Sequence, residues 1–101
     1  MDALSSQQLT EIEAFCRKWL VAEFALFGSL AAGTAGPASD ADVLVAFSAG
    51  APWSYWEFPA MEAELRSIFG REVDLVEKQA LTNPFRRHHI LTHRRVVYRA
   101  A

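Results

Sequence analysis

The stretch LFGSLAAGTAGPASDADVLVAF, residues 26–47, joins two apolar runs through a glycine-serine turn, a small-residue loop and a pair of aspartates. The runs EFALF and DVLVAF predict buried strands at residues 23–27 and 42–47. Glycine after a strand lets the backbone approach a ligand closely, and a following helical turn directs free N–H groups at that ligand. Gly28-Ser29 therefore suits a phosphate, although an ordinary strand-to-helix turn with Ser29 as N-cap explains the same pattern.

Asp40 and Asp42 are separated by one residue at the start of the second strand. At that spacing both side chains project from one face of the strand, while Ala41 and Val43 face the core. Carboxylates so close repel each other unless a cation or proton intervenes, and Mg²⁺ is a cation that takes such ligands. The alternative is a turn closed by Asp40, after residues 37–39, with Asp42 merely beginning the strand.

Asp74 lies within a third predicted strand, EVDLVE, at residues 72–77. An unpaired carboxylate would be costly to bury there, so Asp74 needs a partner. If this strand lies beside the one that carries Asp40 and Asp42, a shared metal ion supplies that partner. The alternative is an edge strand with Asp74 facing water.

Helical spacing and capping patterns predict the remaining elements. Ser5 with Gln8 forms a capping-box pattern before an amphipathic helix over residues 6–20. The apolar side of that helix carries Leu9, Ile12, Phe15, Cys16, Trp19 and Leu20. Residues 30–39 hold at most a short helix, because they contain two glycines and a proline.

The second half of the chain repeats these signals. Ser54 with Glu57 predicts a helix that begins near residues 55–58 and stops at Gly70. Asn83-Pro84 predicts the start of a basic helix that runs to about Arg94, and residues 96–98 form a short last strand. The order helix, strand, short helix, strand, helix, strand, helix, strand predicts an α/β (α+β) fold.

Composition limits the class of protein. The chain has 101 residues, 51% hydrophobic and 22% charged, which fits one globular domain over residues 1–101. No apolar run is long enough to cross a bilayer, and the N-terminus lacks the pattern of a signal peptide. We therefore expect a cytoplasmic protein without membrane association.

The net charge of −2 hides an asymmetry, since every Asp and Glu lies at or before Glu77. The basic residues Arg86, Arg87, Arg94, Arg95 and Arg99 follow. An acidic body argues against direct nucleic-acid binding, in which phosphate contacts supply most of the affinity. The basic tail is either a solvated face, a docking surface for a partner, or a contact for nucleotide phosphates.

Cys16 and the histidines have structural explanations. Cys16 lies on the apolar side of the first helix and is predicted to be a buried thiol without a catalytic role. His89 and His93 have a spacing that can bind zinc. No Cys or acidic ligand is near them in the sequence, so we expect a solvated or partner-facing helix instead.

The motifs resemble a known family. Glycine-serine, ten residues and then D-x-D, in residues 26–47, resemble the signature of the DNA polymerase beta-like nucleotidyltransferases. The leading helix, GREVDLVEKQAL at residues 70–81 and NPFRRHHILTHRRVVY at residues 83–98 resemble the minimal nucleotidyltransferases (MNT) of that superfamily. The likeness extends over nearly all of residues 9–99.

The resemblance implies a fold and a site. The fold is a mixed sheet of about four strands with flanking helices. Asp40, Asp42 and Asp74 form the catalytic and metal site, with two Mg²⁺ ions stabilising the attacking hydroxyl and the leaving pyrophosphate, and Asp74 acting as general base. Gly28 and Ser29 hold the triphosphate of ATP.

The resemblance also implies a partner. In the family, a minimal nucleotidyltransferase is commonly the antitoxin of a HEPN-domain toxin, which it neutralises by binding and by transferring AMP from ATP to a toxin tyrosine. Many relatives carry a polar or basic residue in the segment that is Leu30-Ala31-Ala32 in this chain, and a basic residue is frequent at the position of Gly36. The apolar segment favours the alternative of an antitoxin that acts by binding alone. A small-molecule nucleotidyltransferase is a further alternative.

Overall fold

The computed structural model describes residues 4–36 and 38–100. Four helices and four strands alternate along these residues. They are α1 (Ser6–Lys18), β1 (Val21–Phe27), α2 (Gly28–Ala32), β2 (Ala41–Phe47), α3 (Phe58–Phe69), β3 (Val73–Glu77), α4 (Pro84–His93) and β4 (Arg95–Arg99). Two single 3₁₀ turns, Tyr55–Glu57 and Lys78–Ala80, precede α3 and follow β3. The predicted order of elements is confirmed.

The strands form one sheet with the order β3-β2-β1-β4. Strand β1 is antiparallel to both of its neighbours, whereas β2 and β3 are parallel. The predicted mixed sheet of four strands is therefore present. The parallel pair brings the beginnings of β2 and β3 to the same end of the sheet.

Strand side chains alternate between two apolar layers. On one face, Phe24 and Val43 pack with residues of α1 and α3, such as Phe15 and Leu65. On the opposite face, a smaller cluster contains Ala25, Phe27, Leu44, Leu81 and Ile90, the last from α4. Helix α4 thus lies on the face of the sheet opposite to α1 and α3.

Helix α1 confirms the capping-box prediction but is shorter than expected. The Ser5 hydroxyl accepts from the Gln8 amide, and the Gln8 side chain accepts from the Ser5 amide. The helix ends at Lys18, because Leu20 adopts a positive φ of 57° before β1. Leu9 is 46% exposed, so its place on the apolar side was predicted wrongly, whereas Ile12 is buried.

The turn after β1 also differs from the prediction. Helix α2 begins directly at Gly28 rather than within residues 30–39, and it ends before Gly33, whose φ is 75°. Phe27 is its N-cap and makes no side-chain capping bond, so the alternative in which Ser29 is the N-cap is wrong. Pro37, part of the turn proposed before Asp40, lies outside the described residues.

The later elements begin and end close to their predicted limits. Ser54 and Glu57 form the predicted capping box, and Gly70 ends α3 in the left-handed conformation with φ 68°. The Asn83 side chain accepts from the amides of Phe85 and Arg86, which caps α4 as predicted. Strands β1, β2, β3 and β4 differ from their predicted bounds by two residues or fewer at each end.

Cys16 is a core thiol, as predicted. Its side chain is 1% exposed, and burial, with a smaller contribution from the Glu13 carboxylate, raises the pKa of the thiol to about 12. The thiolate is therefore not populated at neutral pH. Within residues 4–36 and 38–100, no helix is both long enough and apolar enough to cross a bilayer.

Candidate active site

The parallel pairing of β2 and β3 brings two of the predicted carboxylates together. Asp42 and Asp74 are direct register partners across the two strands. Leu44, two residues after Asp42, belongs to the apolar cluster that faces α4, so Asp42 projects to the same face as α4. The condition on which the sequence analysis depended, that the third strand lies beside the second, is met.

Asp40 immediately precedes β2 and is exposed. Burial raises the pKa of Asp42, and the carboxylates of Asp74 and Asp40 raise it further, while Arg86 opposes them. Both neighbours therefore lie within electrostatic reach of Asp42. Ala41 and Val43, between and after the two aspartates, are fully buried as predicted.

Asp74 is exposed to solvent on β3, which is an edge strand. The sequence analysis treated a neighbouring acidic strand and an exposed edge strand as alternatives, but the structure combines them. Asp74 adjoins Asp42 and also faces water. Contrary to the prediction, Asp74 needs no partner to offset a cost of burial, since its charge is exposed to water.

Gly28 lies next to Asp42 on the side opposite to Asp74, at the end of β1. Its neighbour Phe27 is the register partner of Asp42 across β1 and β2. Gly28 has a φ of 66°, and a Cβ atom at this position would overlap the carboxylate of Asp42. The sequence analysis expected a ligand to lie close to this glycine, but in the structure the Asp42 side chain lies there. Ser29 follows, half-buried, in the first turn of α2.

Arg71 supports the segment that carries Asp40. One guanidinium nitrogen donates to the carbonyl oxygens of Gly36 and Ser39, at 3.1 Å each. The Ala41 amide also donates to the Glu72 carbonyl oxygen, at 2.8 Å. This contact could not be predicted from the sequence, because the partners are more than 30 residues apart.

A family model described as "Nucleotidyltransferase domain" matches residues 11–97. The chain belongs to this nucleotidyltransferase family. The matched range includes the glycine-serine turn and all three candidate carboxylates. The family membership expected from the sequence motifs is therefore confirmed.

Individual relatives agree with this family. A candidate protein adenylyltransferase of Methanocaldococcus jannaschii is 37% identical over 68 residues, which cover 67% of this chain and 68% of the relative. The solved structure of a candidate minimal nucleotidyltransferase is 27% identical, with a TM-score of 0.73, over 89% of this chain and 88% of that chain.

Two more distant structures share the fold. A toxin–antitoxin crystal structure with AMP-PNP has a TM-score of 0.74 at 20% identity, over 91% of this chain and 73% of that chain. A complex of a tri-AMPylated Shewanella oneidensis HEPN toxin with its MNT antitoxin has a TM-score of 0.67 at 17% identity, over 93% and 71%. The polymerase beta-like fold of this nucleotidyltransferase is thus also found in toxin–antitoxin pairs.

The donor atoms of the site suit a hard divalent cation. Within the described ranges, no three His, Cys, Asp or Glu side chains are grouped so that they could hold a metal ion together. Mg²⁺ does not need three protein ligands, since it is typically bound by one or two carboxylates together with substrate phosphates and water. Asp42, with the carboxylates of Asp74 and Asp40 within electrostatic reach, matches that requirement in this nucleotidyltransferase.

The basic helix of the nucleotidyltransferase is only partly a solvated face. Arg87 donates to the Lys78 carbonyl oxygen at 2.9 Å, and Arg94 donates to the Glu23 carboxylate at 2.8 Å. Both arginines are therefore occupied inside the fold. His89 and His93 are exposed, with ring centroids 4.4 Å apart, and the His93 Nδ1 lies 2.9 Å from the His89 carbonyl oxygen.

Proposed function

We propose that this nucleotidyltransferase is a Mg²⁺-dependent protein adenylyltransferase that transfers AMP from ATP to a tyrosine hydroxyl of a HEPN toxin and acts as its antitoxin. The observation that carries the proposal is the register of Asp42 against Asp74, directly beside the Gly28 turn. The candidate adenylyltransferase among its relatives supports AMP transfer to a protein. The toxin–antitoxin structures with AMP-PNP and with an AMPylated HEPN toxin support ATP and the partner.

Each site residue has a role in this proposal. Asp40 and Asp42 hold Mg²⁺, which when bound offsets the charge of the triphosphate and of the departing pyrophosphate. Gly28 and Ser29 contact the triphosphate through the backbone and the hydroxyl. Asp74 accepts the proton of the acceptor hydroxyl, whose oxygen bonds to the α-phosphorus as the bond to the α,β-bridging oxygen breaks and pyrophosphate leaves.

The position of Asp74 favours a macromolecular acceptor. A general base must lie within hydrogen-bond reach of the proton that it abstracts. Because Asp74 is exposed on the edge strand β3, a side chain on the surface of another protein can reach it without entering a cavity. A tyrosine is long enough to present its hydroxyl in this way.

A second candidate function is an antitoxin that neutralises its partner by binding alone. The observation that favours it is the composition of α2, in which Leu30 is buried and Ala31 and Ala32 follow. This helix offers no cationic side chain to a triphosphate. Weak or absent ATP binding by the wild-type protein would support this alternative.

The proposed metal and nucleotide site is tested by titration calorimetry with ATP, with and without Mg²⁺. We expect heat of binding only with the metal, and at least a tenfold loss of affinity, about 1.4 kcal/mol, in Asp42→Asn. The variant should stay folded, because it removes a partly buried charge that the carboxylates of Asp74 and Asp40 repel, and burial and this repulsion both raise the pKa of Asp42.

The matched control is Glu11→Gln, which removes one negative charge from an exposed position of α1, on the other face of the sheet. It should bind ATP as the wild-type protein does. Equal Mg²⁺-dependent affinity in the wild type and in Asp42→Asn would rule out Asp42 as a metal ligand.

A further inference from the structure

A cleft lies between α4 and the end of β1. Its volume is about 210 Å³, and it is lined by Phe27, Gly28, Arg86, His89, Ile90 and His93. Phe27 and Ile90 are buried and form its apolar floor. The three cationic or polar side chains come from one side of α4, at positions spaced three and four residues apart, so they share one face of the helix.

The sheet register fixes where this cleft lies relative to the carboxylates. Asp74, Asp42 and Phe27 are successive register partners on β3, β2 and β1. Neighbouring strands are about 4.8 Å apart, so these three positions form a row roughly 10 Å long. Asp74 stands at one end of the row, and the cleft opens beside the other end.

In an in-line phosphoryl transfer, the acceptor approaches from one end of such a row and the leaving group departs toward the other end. The attacking and leaving oxygens lie on opposite sides of the phosphorus atom. If the hydroxyl approaches on the Asp74 side of Asp42, the pyrophosphate leaves on the opposite side, over Phe27 and Gly28. The direction of departure therefore points into the cleft.

Arg86 is the group in this cleft that suits pyrophosphate. Arg86 lines the cleft together with Gly28, and its positive charge lowers the pKa of Asp42, so the guanidinium lies within electrostatic reach of that carboxylate. In the described part of the chain, the Arg86 guanidinium has no hydrogen-bond or ion-pair partner, unlike those of Arg87 and Arg94. A planar guanidinium can contact two phosphate oxygens at once, which an ammonium cannot do with the same geometry.

We propose that the α4 cleft is the binding site for the β- and γ-phosphates of ATP and for the pyrophosphate that they become, with Arg86 as their cationic ligand and His89 and His93 beside it. This inference rests on the proposed function and adds a specific site to it. In this proposal, Arg86 of α4 supplies the positive charge for the phosphates that α2, which has no basic residue, does not supply.

The test compares wild type, Arg86→Gln and Arg86→Lys by calorimetry with Mg²⁺-ATP, Mg²⁺-pyrophosphate and AMP. We expect Arg86→Gln to lose roughly 10–100-fold in affinity for ATP and pyrophosphate, because charged hydrogen bonds are lost. The affinity for AMP, which lacks both terminal phosphates, should change less than about twofold. Arg86→Lys should recover part of the loss.

The matched control is Arg66→Gln, an exposed arginine of α3 on the other face of the sheet. It should bind all three probes like wild type. If wild type binds Mg²⁺-ATP and Arg86→Gln binds it and pyrophosphate equally well, the cleft assignment is wrong while the proposed function stands. Equal losses of affinity for AMP and for ATP in Arg86→Gln would also reject the assignment. The effect of Arg86 would then not depend on the β- and γ-phosphates and would act through Asp42 instead. No ATP binding by wild type would reject both.

Discussion

Gly28 shows how a single residue connects the fold to the site. Its positive φ is one that L side chains rarely adopt, and the space where a Cβ atom would lie is occupied by the Asp42 carboxylate. Gly70 has almost the same φ, but apart from its neighbours in the chain no atom of the described residues lies within 4 Å of its missing Cβ. The two glycines therefore share a backbone requirement, and only Gly28 has a steric one.

This difference predicts the outcome of two alanine substitutions. Gly70→Ala should lower the free energy of unfolding by about 1–2 kcal/mol through the left-handed backbone alone and should leave ATP binding unchanged. Gly28→Ala should cost more and should also weaken Mg²⁺-ATP binding, because Asp42 must move. Urea denaturation and calorimetry measure the two effects, and equal behaviour of both variants would show that the contact with Asp42 has no consequence.

At the scale of residues, sequence analysis identified the carboxylates through local rules. The i, i+2 spacing of Asp40 and Asp42 was informative because strand side chains alternate between the two faces of a sheet. The roles of Arg71 and Glu23 could not be predicted, because each depends on partners more than 30 residues away. Local periodicity carries no information about such contacts.

Glu23 ties several elements together on the face of the sheet that α4 covers. It lies on β1, is 8% exposed, and accepts from Arg94 at 2.8 Å and from Lys78 at 3.5 Å, with the Arg99 guanidinium 3.8 Å away. These partners belong to the end of α4, to the turn after β3 and to β4. The carboxylate thus fixes the position of α4, which carries the proposed pyrophosphate cleft.

The pKa of Glu23 predicts a pH-dependent contribution to stability. Burial by itself raises this pKa, but the hydrogen bond and charge of Arg94, together with Lys78, hold it below its usual value. A carboxyl whose pKa is lowered by folding stabilises the fold above its unfolded pKa, and loses that effect as the pH falls through the folded pKa. We therefore expect wild type to lose stability below about pH 4.5 in part through Glu23.

Glu23→Gln should remove this part of the pH dependence and cost about 1–3 kcal/mol at neutral pH, since charged hydrogen bonds are lost. Glu13→Gln is the matched control, because the Glu13–Arg17 pair is exposed and should contribute less than about 0.5 kcal/mol. Urea denaturation of both variants between acid and neutral pH provides the measurement. A Glu23→Gln curve parallel to that of wild type at all pH values would contradict this account.

Most elements could be predicted because their signals are local. Capping boxes marked the starts of α1 and the helix around Phe58, and glycine in the left-handed conformation ended α3. The start of α2 was missed because its N-cap, Phe27, supplies no capping side chain. The exposed position of Leu9 was missed because helical spacing does not show how far the neighbouring elements extend.

At the scale of the whole molecule, the strand order creates the site. The parallel pairing of β2 with β3 places Asp74 beside Asp42, and the antiparallel pairing of β1 with β2 places Gly28 on the other side. Hydrophobic pattern predicts strands but not which strands are neighbours, so the strand order stayed open, and only the family resemblance implied that the three aspartates share one site. In the proposed reaction, the row of Asp74, Asp42 and Phe27 sets a direction, with the acceptor hydroxyl at the Asp74 end and the pyrophosphate at the Phe27 end.

The most direct test of AMP transfer is intact-mass spectrometry of a HEPN toxin co-expressed with wild type, with Asp74→Asn or with Glu11→Gln as the charge-matched control. With wild type and Glu11→Gln, we expect the toxin to gain the mass of one or more AMP groups on a tyrosine. Asp74→Asn keeps the volume of the side chain but cannot take up the hydroxyl proton, so transfer should fall by roughly 10²–10⁴-fold while the complex persists. An unmodified toxin that wild type and Asp74→Asn neutralise equally well would contradict the account.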